Sequence, residues 1–76
     1  MLSFEYDAKN GTLEIFFDEE GKLLLLASIE KVVIPGDHDH LMTPSWSGHE
    51  LTEEVHQEKN TLISMVTLGM PQQKNK

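Results

Sequence analysis

The sequence predicts an α+β fold: a two-layer domain in which an antiparallel sheet of four to five strands carries one helix on one face. Three observations predict it. Apolar and polar residues alternate with a period of two at the start and in the middle of the chain, as half-buried strands do. One stretch between them has apolar residues at helical spacing, with a start and a stop signal. The last apolar run, Thr61 to Leu68, is rich in β-branched and aliphatic residues. A sheet with a helix on a single face buries all of these segments.

The first eighteen residues read as a hairpin. Leu2, Phe4 and Tyr6 alternate with Ser3, Glu5 and Asp7. Asn10-Gly11 is the favoured pair for a two-residue type I′ turn, which needs positive φ at both positions. That turn sets Lys9 opposite Thr12, Tyr6 opposite Ile15 and Phe4 opposite Phe17. A helix follows. Asp18 is suited to be its N-cap, and Glu19 and Glu20 fall in the first turn, where the helix dipole favours negative charge. Leu25, Leu26, Ile29, Val32 and Val33 form the stripe expected to cover the sheet, with Lys22, Glu30 and Lys31 facing water. Pro35-Gly36 ends it. The same run of leucine and β-branched residues is also compatible with a strand.

From His38 to Trp46 the pattern is that of an extended strand. Ser47-Gly48 then reads as a tight turn, setting Trp46 opposite His49 and Ser45 opposite Glu50. Pro44 cannot donate to a ladder, so this strand belongs at an edge or carries a bulge. Glu53 to Asn60 is a polar connection to the final strand, Thr61 to Leu68. That strand has Leu62, Val66 and Leu68 on one face and Ile63 and Met65 on the other, so dimerisation through it is open if it lies at an edge. Residues 1–70 form one domain, and the polar tail 71–76 is expected to be mobile.

Composition narrows the function. A chain of 76 residues buries only about 60% of its unfolded surface, which favours binding across a face over a deep enclosed site. Thirteen acids stand against six lysines, with no arginine, for a formal charge of −7. This argues against nucleic acid and anionic membranes as partners and favours basic ones. The absence of cysteine excludes disulfides and thiolate metal sites and suits a cytoplasmic protein. No basic and apolar leader is recognised, and the run from Leu23 to Ala27 is too short to span a bilayer.

The chemistry concentrates between Asp37 and Glu54, which hold three of the four histidines, the single tryptophan and five acids. His38 and His40 would project from one face of a strand, and with His49 or His56 could ligate zinc, Asp37, Asp39 or Glu50 completing the shell. The alternative is a pair of surface histidines bonded to neighbouring acids. Ser45, Ser47, His49 and Glu50 lie close together, yet nothing resembles a nucleophile elbow, an oxyanion hole or a glycine-rich phosphate loop, so no catalysis is expected. Trp46 either caps the end of the core or serves as a binding anchor inside a polar rim.

The run His38-Asp39-His40-Leu41-Met42-Thr43-Pro44-Ser45-Trp46, with Gly48 and Glu50-Leu51-Thr52-Glu53 after it, resembles the immunity protein 32 family of bacterial polymorphic-toxin systems. The strand and helix from Leu13 to Val33 also resemble that family's layout. Ser47 departs from it, standing where glycine is common. The resemblance implies a small non-catalytic α+β protein, without a cofactor, that protects its cell by binding a toxin domain. The residues themselves, not the family, nominate His38, His40, Trp46, His49, Glu50, Glu53 and Glu54 as the candidate partner contacts, with Trp46 as anchor and the glutamates pairing basic residues. A metal-binding domain on His38, His40 and His49, and an adaptor with no toxin partner, are the alternatives.

Overall fold

The computed structural model describes residues 1–72 and has one helix and five strands. In chain order these are β1 (Leu2–Asp7), β2 (Thr12–Phe17), α1 (Glu19–Glu30), β3 (His38–Met42), a 3-10 turn at Pro44–Trp46, β4 (Thr61–Leu62) and β5 (Met65–Gly69). The α+β class is as expected. The sheet is not: instead of one sheet of four to five strands there are two, ordered β2-β1-β4 and β3-β5, with every pairing antiparallel. The split falls within the expected last strand. Ile63 donates its N–H to the carbonyl of Phe4, while the carbonyl of Ser64 accepts from Thr43, so the segment changes neighbour between two adjacent residues.

The hairpin forms with a register two residues away from the expected one. Leu2 faces Phe17, Phe4 faces Ile15, Tyr6 faces Leu13 and Asp7 faces Thr12. The cause is Asp7. Its carboxylate accepts from the backbone N–H of Lys9 and Asn10 and from the Asn10 side chain, which closes a longer loop. Only Gly11 (φ 65°) takes a positive φ there, so the type I′ turn does not arise. A shift of two leaves every side chain on its expected face.

Asp18 caps α1 as expected, its carboxylate accepting from the N–H of Gly21 at 2.9 Å. The helix ends at Glu30, ahead of Pro35. The β-branched run Val32-Val33-Ile34 propagates it poorly, and the Asp37 carboxylate draws the N–H groups of Val33 and Ile34 out of the helical path. The buried face also differs from the stripe expected. Gly21 and Ser28 are buried and Leu25 packs on the core, whereas Leu26, Ile29 and Val33 are exposed. Small residues let the helix approach the backbone of β1 closely: a Cβ on Gly21 would overlap the carbonyl of Met1.

The apolar core is small. Leu2, Phe4, Leu41 and Leu51 are buried, with Leu25, Ile63, Val66 and Leu68 packed against them. The opposite face of β1 is buried too, although its alternation reads as a solvent face. Ser3 and Glu5 are fully buried and Asp7 is nearly so, because the 53–60 connection folds over them. Of the tail expected at 71–76, residues 73–76 lie outside the described residues. No helix among the described residues is long and apolar enough to cross a membrane.

Candidate functional site

The extended pattern that begins at His38 stops at Met42 rather than running on to Trp46, and no hairpin forms around Ser47-Gly48. Pro44 is the reason. It has no N–H for a ladder and its φ is fixed near the helical value, so it starts a 3-10 turn at the first position, where proline is favoured. Thr43, fully buried, holds this turn from below. Its carbonyl accepts from the N–H of Trp46 at 2.9 Å and of Gly48 at 3.0 Å, and its hydroxyl bonds that of Ser45 at 2.9 Å. Ser47 takes the left-handed conformation (φ 66°) to end the turn. Gly48 then passes so close to β3 that a Cβ there would lie 2.4 Å from the Met42 carbonyl oxygen.

Two acids predicted as partner contacts act first within the chain. One oxygen of Glu50 accepts from the N–H of Met42 at 3.0 Å and the other from His49 N–H at 3.2 Å. Glu53 accepts from the N–H of Ser45. Leu51, between them, is buried in the core and donates its N–H to the Met42 carbonyl. These bonds fix the turn, and the indole of Trp46 stands on it 56% exposed. The core-capping reading of Trp46 is therefore overturned. His49, three residues on, and Glu54 are also exposed. Among the described residues, Glu53, Glu54 and Glu58 form no ion pair, and Lys59, the one cation of this stretch, is engaged with Asp7 and Glu14.

The histidines occupy different ground. His38 and His40 project from the same side of β3 with ring centroids 5.1 Å apart, edge to face, and His40 Nδ1 lies 3.0 Å from the Thr67 hydroxyl. Asp37 and Asp39 point the other way, as their spacing predicts. Backbone N–H groups of Val33 and Ile34 hold Asp37 below the usual carboxylate range, and the Ser28 hydroxyl does the same for Asp39. A cleft of about 330 Å³ between α1, β3 and the turn is lined by Lys31, Asp39, His40 and Glu50 among others, without His38 or Trp46. Among the described residues, no three histidine or carboxylate side chains converge as a metal site requires.

Sequence reasoning missed the most heavily bonded side chain among the described residues. The Glu5 carboxylate accepts from the Ser3 hydroxyl (2.7 Å), the backbone N–H of His56 (2.9 Å) and Gln57 (3.3 Å), and the Asn60 amide (3.0 Å), with His56 Nδ1 at 3.0 Å. Burial by itself would raise its pKa. The bonds from Ser3, Asn60 and His56 outweigh that and bring it down to about 2. Asp7, hydrogen-bonded by Lys59 and Asn10, is likewise lowered to about 2. Phe16 and His56 pack with ring centroids 5.3 Å apart over this polar centre. The signal in the sequence was the donor set His56, Lys59 and Asn60 within a connection that otherwise reads as solvated.

No family model, curated protein or solved structure matches the chain.

Proposed function

We propose that this protein is a non-catalytic inhibitor of the immunity kind, which binds a basic toxin domain in the cytoplasm of the producing cell and occludes its active site. The observation that carries the reading is the exposed Trp46, held out on a turn that buried Thr43 and Glu53 fix in place. A large rigid aromatic side chain in a polar surround is the commonest type of binding anchor. Its surroundings supply the charge. Glu53 bonds the residue before Trp46, and residues 47–54 carry Glu50, Glu53 and Glu54 and no lysine, so the field of this segment attracts a basic surface and accelerates its capture. A nuclease toxin fits because its substrate cleft must itself be basic. No cofactor enters the reading; the inhibitor contributes surface and charge alone. The resemblance of residues 38–54 to the immunity protein 32 family points the same way.

Calorimetry of the intact chain against the toxin domain encoded beside it, at two salt concentrations, tests this. Binding that weakens as salt rises, and that Trp46→Ala abolishes while the fold is kept, is the expected result. Absence of binding at both salt concentrations overturns the proposal.

A further inference from the structure

Strand β2 is the free end of the order β2-β1-β4, and the bonds of β1 show which of its backbone groups are unpaired. The carbonyl of Phe4 accepts from Ile63 at 2.9 Å and that of Leu2 from Thr52 at 2.9 Å, so both residues turn their backbone away from β2. Ile15 and Phe17, which face them, are therefore in non-hydrogen-bonded pairs, and Leu13 opposite Tyr6 follows by alternation. The N–H and C=O groups of Leu13, Ile15 and Phe17 all point to the open edge. These residues also carry exposed side chains, at 53%, 39% and 50%, on the face they share with Leu2, Phe4 and Tyr6.

Edges of this kind are normally blunted by lysine, proline or a bulge. β2 has none of them. Its single charge, Glu14, lies on the opposite face, tied to the Asn60 amide at 2.6 Å and Lys59 at 3.6 Å. β5, the strand expected to offer apolar residues on both faces, instead alternates half-buried Val66 and Leu68 with exposed Met65, Thr67 and Gly69.

We propose that β2 is the interface of a homodimer, pairing antiparallel with β2 of a second copy about a two-fold axis through Ile15. Ile15 then faces its own mate, and Leu13 faces Phe17 of the second copy. Every one of these pairs has both sets of backbone groups turned to the seam, so each exchanges two hydrogen bonds. Glu14 falls opposite Phe16, so like charges do not meet across the seam. Moving the axis to Glu14 would set the two glutamates against each other. Moving it to Phe16 would leave Leu13 beyond the end of its partner strand. The apolar pattern of β2 is thus self-complementary, which a two-fold contact requires and a foreign partner does not.

Two copies at −7 each repel, so this association strengthens as salt rises. The toxin complex proposed above weakens with salt, so the two readings fail independently.

Sedimentation equilibrium of the intact chain over a dilution series, with hydrogen exchange of assigned amides, tests the dimer. The expected particle is twice the 8.6 kDa chain, with slowed exchange at Leu13, Ile15 and Phe17 that is lost on dilution. Ile15→Lys brings two charges together on the axis and should weaken association at least ~100-fold with an unchanged circular dichroism spectrum. A wild-type monomer at every concentration overturns the proposal. So does a dimer whose Leu13, Ile15 and Phe17 amides exchange freely, a readout that stands even if Ile15→Lys fails to fold.

Discussion

Replacing Glu5 with leucine removes one carboxylate and leaves five groups that were bonded to it: the Ser3 hydroxyl, the backbone N–H groups of His56 and Gln57, the His56 imidazole and the Asn60 amide. Water reaches none of the Glu5 side chain, so these donors lose their acceptor in a space with little solvent to replace it. A buried donor left unpaired costs about 1–3 kcal/mol, and breaking a buried charged arrangement by deleting one member costs about 3–5 kcal/mol. The second figure is the better guide, because the 53–60 connection can lift away and re-solvate some donors. A protein of 76 residues has about 4–11 kcal/mol in all, so Glu5→Leu should remove a large share of it. Glu5→Gln keeps one acceptor oxygen but turns an amide toward these donors, and should cost about 2 kcal/mol. Urea unfolding at neutral pH measures both. A loss below ~1 kcal/mol for Glu5→Leu, with amide protection of residues 56–60 unchanged, would refute the claim that this carboxylate holds the connection in place.

Acid should act on the same group. The pKa of Glu5 falls from 4.5 to about 2 on folding and that of Asp7 from 3.8 to about 2. Both carboxylates are depressed in the folded state, so their contribution is complete above pH 4.5 and is lost as pH falls from there through about 2. Urea midpoints should drop steadily over that window; a flat profile between them would sink the linkage. Trp46→Ala should lower the unfolding free energy by less than ~1 kcal/mol, since the ring is exposed, while abolishing toxin binding; a loss of ~3 kcal/mol in folding would return Trp46 to the core. Gly48→Ala drives a methyl to 2.4 Å from the Met42 carbonyl and should destabilise by ~1–3 kcal/mol, read by thermal melts. An unchanged melting temperature would mean that the turn can move aside freely.

The hairpin, the N-cap and the α+β class were legible because each rests on local chemistry: alternation from Leu2 to Tyr6, the turn at Gly11, Asp18 ahead of Glu19-Glu20. What failed was decided at a distance or by small residues. Four consecutive leucines, Leu23 to Leu26, point to all sides of a helix and set no phase, so the buried face went instead to Gly21 and Ser28, which carry no apolar signal. Alternation ran through Pro44 in the sequence but not in the chain, because a fixed φ and a missing N–H outweigh a pattern. Within the candidate site, Trp46, His49 and Glu54 are exposed as binding residues must be. Glu50 and Glu53 are occupied by backbone N–H groups eight residues away or fewer. The burial of Glu5 could not be read from β1, since all its donors but Ser3 lie 51 to 55 residues further on.

These two polar centres bear on one another. Glu5 gathers His56, Gln57 and Asn60, and so fixes the end of the connection whose beginning contains Glu53. Glu53 in turn bonds Ser45, the residue before Trp46. A surface tryptophan on a loose loop would have to be ordered at the moment of binding, at about 0.5–1.5 kcal/mol for each side chain immobilised. Here that ordering is completed during folding. An apolar replacement for Glu5 would release the connection, and with it the acid that steadies the turn. The buried charge is therefore better understood as fixing where Trp46 stands, a positional role that buried polar groups also play in other proteins.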